Sequence, residues 1–185
     1  LPDPEYLPRR TVAERVARGA SLRDEVPIER HAHWEVGSGR ADPISILERQ
    51  GADRIAELLP IRYGRMAASA FAFYRGGAAI MAADLAGTPI SGLRAQLCGD
   101  AHLMNFGLFD TPERSLVFGL NDFDETLLGP TEWDVKRLVA SIEIAGRDLG
   151  FAPADRTAAV TACARSYREA MHAFAQQRNI DVWYA

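Results

Sequence analysis

Two short apolar runs, Arg94-Ala95-Gln96-Leu97-Cys98 and Leu116-Val117-Phe118-Gly119-Leu120, bracket a loop that begins Gly99-Asp100-Ala101-His102-Leu103-Met104-Asn105. The second run leads straight into Asn121-Asp122-Phe123-Asp124-Glu125. Both runs read as strands, with Thr111 to Ser115 as the turn before the second. A hairpin of the two would set the loop beside the end of the second strand, so that Asp100, Asn105 and Asp122 meet at one point. That fixes the fold class as α+β. A small hairpin region carries the site, and the bulk of the chain must be helical because the remainder carries helical punctuation.

That punctuation runs as follows. Thr11 with Glu14 three residues on forms a capping box for a short helix that Gly19 would end. Asp42-Pro43 opens a helix near Ile44 to Gln50, and Arg54 to Leu59 reads as another, stopped by Pro60. Met66 to Leu85 is Ala-rich and helical on both sides of Gly76-Gly77, since glycines inside a helix each cost about 1 kcal/mol. Gly129-Pro130-Thr131 is a break with Thr131 as N-cap. Trp133 to Leu149 repeats Val135, Leu138, Val139 and Ile142 at a helical period, and Gly150 ends it. Pro153 to Ala175 is a second long helix, and Asn179 to Ala185 reads as the start of a strand. Residues 1–44, rich in Pro and Arg, read as an extended N-terminal arm with one short helix. Residues 45–185 form the lobe that carries the loop.

The loop's chemistry is that of hard oxygen ligands. A carboxylate and an amide oxygen suit Mg²⁺, and a second carboxylate, Asp124, adds a ligand or holds a second ion. One further carboxylate, Asp100, would orient or deprotonate a hydroxyl. Gly99 permits the tight turn before Asp100. Asp, Asn and Gly also populate ordinary turns, so the spacing alone leaves both readings open. His102 sits in the loop as a bracing or substrate-facing group, or as a simple hydrogen-bonding one. Arg75 would neutralise a phosphate or an acidic group, or pair with a carboxylate. His31 and His33 have too few neighbouring ligands for a metal site. Cys98 reads as a buried small residue, Phe71, Phe73 and Tyr74 as core, and Trp133 as a packing anchor.

Composition narrows the partners. In 185 residues the net charge is -4, which argues against nucleic acid or an anionic membrane surface as the main partner. No apolar stretch reaches the 18 or so residues of a membrane span, and the two distant cysteines suit a reduced, cytoplasmic setting. Lys136 is the only lysine. It lies in an apolar-periodic segment, a poor place from which to reach a phosphate.

Gly99 to Gly107, Asn121 to Thr126 and Gly129 to Leu138 together resemble the bacterial family of domain of unknown function 2252. Pro60 to Met66 and Phe73 to Gly76 add to the likeness, which covers residues 26–185. The resemblance implies the large lobe of a protein-kinase-like fold, nearest in style to aminoglycoside phosphotransferases and choline kinases. It implies Mg²⁺-dependent transfer of the ATP γ-phosphoryl group to a small-molecule hydroxyl. Asp100 would then be the catalytic-loop base, Asn105 and Asp122 the metal ligands, and Asp124 would stand where a glycine is usual. Asp134 would brace the loop, with Arg137 as a partner. In that family the Gly-rich segment and the phosphate-binding lysine lie downstream. The chain is therefore expected to match the N-terminal half of a longer protein, inactive alone and able to associate through the uncovered face. Two other readings stand beside this one: a non-catalytic, pseudokinase-like binding module, and nucleotidyl transfer on the same metal site.

Overall fold

The computed structural model describes residues 10–178 and Val182; the expected strand start over Asn179 to Ala185 otherwise lies outside the described residues. Among the described residues, seven α-helices of six residues or more accompany two small antiparallel sheets. Helix α1 spans Val12–Glu25, and the Thr11–Glu14 capping box is present in full. Gly19 does not end it. The helix continues to carry Leu22 against the chain at Gly92, where an added Cβ would touch the leucine.

Helix α2, Pro43–Gly51, starts on Asp42, whose carboxylate accepts the Ser45 N–H. After a 3-10 turn at Ala56–Leu58 comes α3, Leu59–Met66. Pro60 opens this helix instead of stopping one. In the first turn its missing N–H has no partner to lose and its fixed φ is already helical. Helices α4, Ala70–Arg75, and α5, Ala78–Leu85, flank the glycine pair, but the first starts at Ala70 on the Ser69 cap and not at Met66, which ends α3. Gly76 is there because a Cβ would run into the Met66 side chain. Met66, Ile46, Leu47 and Ile80 form the buried core of this helical half, with Tyr63 packed against them. Phe73 and Tyr74 flank an apolar cavity instead of filling the core, and Phe73 is exposed.

The sheet pairing differs from the expected hairpin. Strand β1, Arg94–Leu97, pairs with β4, Leu127–Pro130, in the register Leu97↔Leu127. Strand β2, Phe106–Asp110, pairs with β3, Leu116–Leu120, with Gly107 opposite Gly119. The stretch read as a break at Gly129-Pro130 is thus the end of a strand. Pro130 is tolerated because it sits at the strand's last position, where a lost N–H costs the ladder least. The β2–β3 hairpin carries Leu108, Leu116 and Phe118 outward, all well exposed. Helices α6, Glu132–Asp148, and α7, Pro153–Phe174, pack along each other, close enough at Gly146 that a Cβ would meet the Arg156 stem. No helix among the described residues is long and apolar enough to cross a membrane.

Gly99 and Gly150 both have positive φ, at 84° and 74°. A Cβ at Gly99 would overlap the Glu125 carbonyl, whereas one at Gly150 meets nothing. Gly150→Ala should therefore cost about 1–2 kcal/mol in urea denaturation, the strain of a left-handed alanine. Gly99→Ala should cost at least about 2 kcal/mol more, because the loop must also move. Equal losses at the two positions would contradict the close approach at Gly99.

Candidate functional site

The loop after β1 is held by one face of α6. Asp134, Arg137 and Ser141 lie at i, i+3 and i+7, which stacks them along the helix. Asp134 accepts the backbone N–H of Cys98 at 2.7 Å and of Gly99 at 3.1 Å. Arg137 donates through Nε to Asp100 Oδ1 at 2.5 Å. Ser141 Oγ accepts the Leu103 N–H at 2.9 Å and donates to the Leu138 carbonyl. The helix meets the loop in chain order, one side chain per turn. Asp134 and Arg137 do not pair with each other: each is spent on the loop.

Arg137 is buried, and so is Ser141. Beyond Asp100, the Arg137 guanidinium donates to the Tyr74 carbonyl at 2.9 Å and lies over the Tyr74 ring, 4.5 Å from its centre. The Tyr74 hydroxyl in turn donates to the Arg137 carbonyl. Burial pushes the Tyr74 hydroxyl up to about 12, with Arg137 only partly offsetting it. Tyr74 is therefore a neutral donor at any ordinary pH. Neither Tyr74 nor Ser141 stands out in the sequence. The signal was there in α6, where polar residues recur at helical spacing on a segment that otherwise packs.

A second set of bonds brings Asp122 to the loop. The Asn121 N–H donates to the Asn105 carbonyl at 2.9 Å, which ties the end of β3 to the end of the loop. Cys98 Sγ donates to the Asp122 carbonyl, and burial raises that thiol's pKa. Asp122 Oδ1 accepts the Asp124 N–H. Asn105 donates its amide N–H to the Asp100 carbonyl at 2.7 Å, which leaves its side-chain oxygen as a free acceptor.

Asp100, His102, Asn105, Asp122, Asp124 and Arg75 all line one cavity of about 840 Å³. Asp134 and Arg137 do not; they stand behind the loop, beside Gly99, around a small void of about 30 Å³. Glu125 and the arginines Arg54, Arg62 and Arg65 share the larger cavity, and the sequence reading had missed them. Lys136 faces a different, mostly apolar cavity of about 410 Å³, with His31, His33 and Trp34, where burial lowers its pKa.

The oxygen donors of the large cavity fit Mg²⁺ in kind. Among the described residues, no three His, Cys, Asp or Glu side chains close on a common point. A Mg²⁺ ion held by Asn105, Asp122 and Asp124 would draw its remaining ligands from water and phosphate, which is its usual habit.

His102 Nδ1 accepts the Met104 N–H at 3.1 Å, and its Nε2 lies 3.8 Å from Asp100 Oδ2. Burial depresses its pKa below the ordinary 6.5, against the pull of Asp100. Protonating Nδ1 would also break the bond to Met104. The folded chain thus binds fewer protons at His102 than the unfolded chain does. Stability should be unaffected by this group above pH ~6.5 and should fall as pH drops through that value. Urea midpoints at about pH 7.5 and about pH 5 should fall less on acidification in His102→Asn, which keeps an acceptor for Met104, than in the parent. An identical fall in both would contradict the assignment.

No curated protein and no solved structure matches the chain. A family model described as "Uncharacterized protein conserved in bacteria (DUF2252)" matches residues 54–185. The match begins at Arg54, not at residue 26, and spans every residue named above for the cavity of about 840 Å³. The chain belongs to this bacterial family.

Proposed function

We propose that this chain carries the metal- and acceptor-binding part of a phosphotransferase site, of protein-kinase-like type, that moves the ATP γ-phosphoryl group to a small-molecule hydroxyl. One observation carries the reading: two separate chain segments, the loop after β1 and the stretch after β3, deliver Asp100, Asn105, Asp122 and Asp124 to a single cavity.

In this reading Asp100 Oδ2 receives the acceptor hydroxyl, because Arg137 already occupies Oδ1. The fixed carboxylate orients that hydroxyl and takes its proton as the new oxygen–phosphorus bond forms and the bond from the γ-phosphorus to the bridging oxygen of ADP breaks, with ADP as the leaving group. Asn105 and Asp122 would hold Mg²⁺, with Asp124 as a further ligand. The bound ion would neutralise phosphate charge as the transfer proceeds. His102, neutral, faces Asp100 and shapes the acceptor side. Arg75 meets the phosphates. Asp134 and Arg137 hold the loop in place without touching a reactant. The exposed apolar β2–β3 hairpin would serve association, and a cytoplasmic setting follows from the ATP requirement.

A second reading is favoured by a different observation. The only lysine faces another cavity, and Asp100 is already engaged by a cation. Those facts suit a non-catalytic module that binds a nucleotide without transferring its phosphate.

Calorimetric titration of ATP should show binding that requires Mg²⁺ and that is at least tenfold weaker in Asp122→Asn, about 1.4 kcal/mol or more. The mass of an acceptor after incubation then separates phosphate transfer from nucleotide transfer and from no reaction. ATP binding that ignores both Mg²⁺ and Asp122 would remove the metal-site reading.

A further inference from the structure

The large cavity is lined by charges of both signs: the carboxylates of Asp53, Asp100, Asp122, Asp124 and Glu125, and the guanidiniums of Arg54, Arg62, Arg65 and Arg75. Arg62 is used structurally: its guanidinium donates to the Gly76 carbonyl at 3.2 Å and so fixes α3 against the end of α4. Arg65, the next arginine on α3, and Arg75, the last residue of α4, line the same cavity. Arg54, Arg65 and Arg75 make no ion pair among the described residues, whereas Arg40, Arg137, Arg147 and Arg156 all do. Arg75 is near enough to His102 for its charge to help lower that ring's pKa.

We propose that Arg54, Arg65 and Arg75 form a phosphate-binding wall, which takes a ligand carrying two or more linked phosphate groups. This rests on the phosphotransferase reading of the same cavity. Guanidinium groups bind phosphate oxygens in a forked, two-bond geometry that a lysine cannot copy. Three such groups without carboxylate partners would repel one another in an empty cavity, and a polyanion removes that repulsion. The wall also resolves the lysine problem. The one lysine is elsewhere, so arginines of α3 and α4 supply the positive charge that phosphates need. Metal at the carboxylates and phosphate at the arginines would put a phosphate–metal complex in the one cavity that both line.

The probe is inorganic tripolyphosphate without metal ion, titrated into the full 185-residue chain at low and at high salt. Binding should weaken with salt, as screened charge pairs do. It should fall at least tenfold in Arg65→Gln/Arg75→Gln, recover in part in the double Lys variant, and persist in Asp122→Asn. All three arginines are exposed, so their substitution should leave the thermal melt in place; Arg168→Gln on α7 is the remote control. Metal-free ATP that displaces tripolyphosphate identifies the wall's ligand as the nucleotide's own phosphates. ATP that binds without displacing it identifies a phosphorylated acceptor. No tripolyphosphate binding, or equal binding by parent and glutamine variants, overturns the wall even if Mg²⁺-ATP still binds. Tripolyphosphate binding with no Mg²⁺-ATP binding keeps the wall and overturns the metal-ATP reading.

Discussion

The site depends on one buried cation. Arg137 has its guanidinium among apolar and aromatic groups, and a charge taken out of water survives only with partners that fill its donors. It finds them in the Asp100 carboxylate, the Tyr74 carbonyl and the Tyr74 ring face. Those partners lie on the loop and on α4, while the arginine itself is on α6. The pairing therefore locks two helices and the loop into one arrangement. It also fixes which Asp100 oxygen remains free. Packing forces have no direction and could not choose an oxygen; a buried ion pair made to Oδ1 alone can.

Asp134 and Ser141 extend the same logic to the backbone. A loop that leaves the end of a strand has N–H groups with no ladder partner, and burying them unpaired would cost about 1–3 kcal/mol each. Asp134 takes two of them and Ser141 a third. The left-handed Gly99 then turns the chain so that Asp100 faces Arg137 on one side and the cavity on the other. From there Asn105 and Asp122 are joined through a single backbone bond at Asn121. The positions of the cavity's oxygen donors thus follow from a short chain of hydrogen bonds anchored on α6.

Much of this was legible in the sequence and some was not. The capping box at Thr11, the glycine break between α4 and α5, and the two long helices are local signals, and local physics settles them. The partner of β1 was misread because pairing depends on which strand the loop lets near, and nothing within 94–98 encodes that. Pro60 was misread because a proline means stop or start according to the tertiary turn that precedes it. The cluster of Asp100, Asn105 and Asp122 was visible as residue types at a spacing, and they do line one cavity. Tyr74, Ser141 and the arginines of α3 were invisible because their roles exist only across helices. A tyrosine or serine in a helix carries no local mark of the loop it will hold.

The central claim is that Arg137 and Asp100 act as a unit, and a double-mutant cycle tests it most directly. Arg137→Met, Asp100→Asn and the double variant would be unfolded in urea beside the parent. The account predicts that each single change is costly and that the double loses far less than their sum, with a coupling of about 2 kcal/mol or more. Losses that add to within about 0.5 kcal/mol would mean the two groups do not depend on each other, and the buried cation would not be what organises the loop.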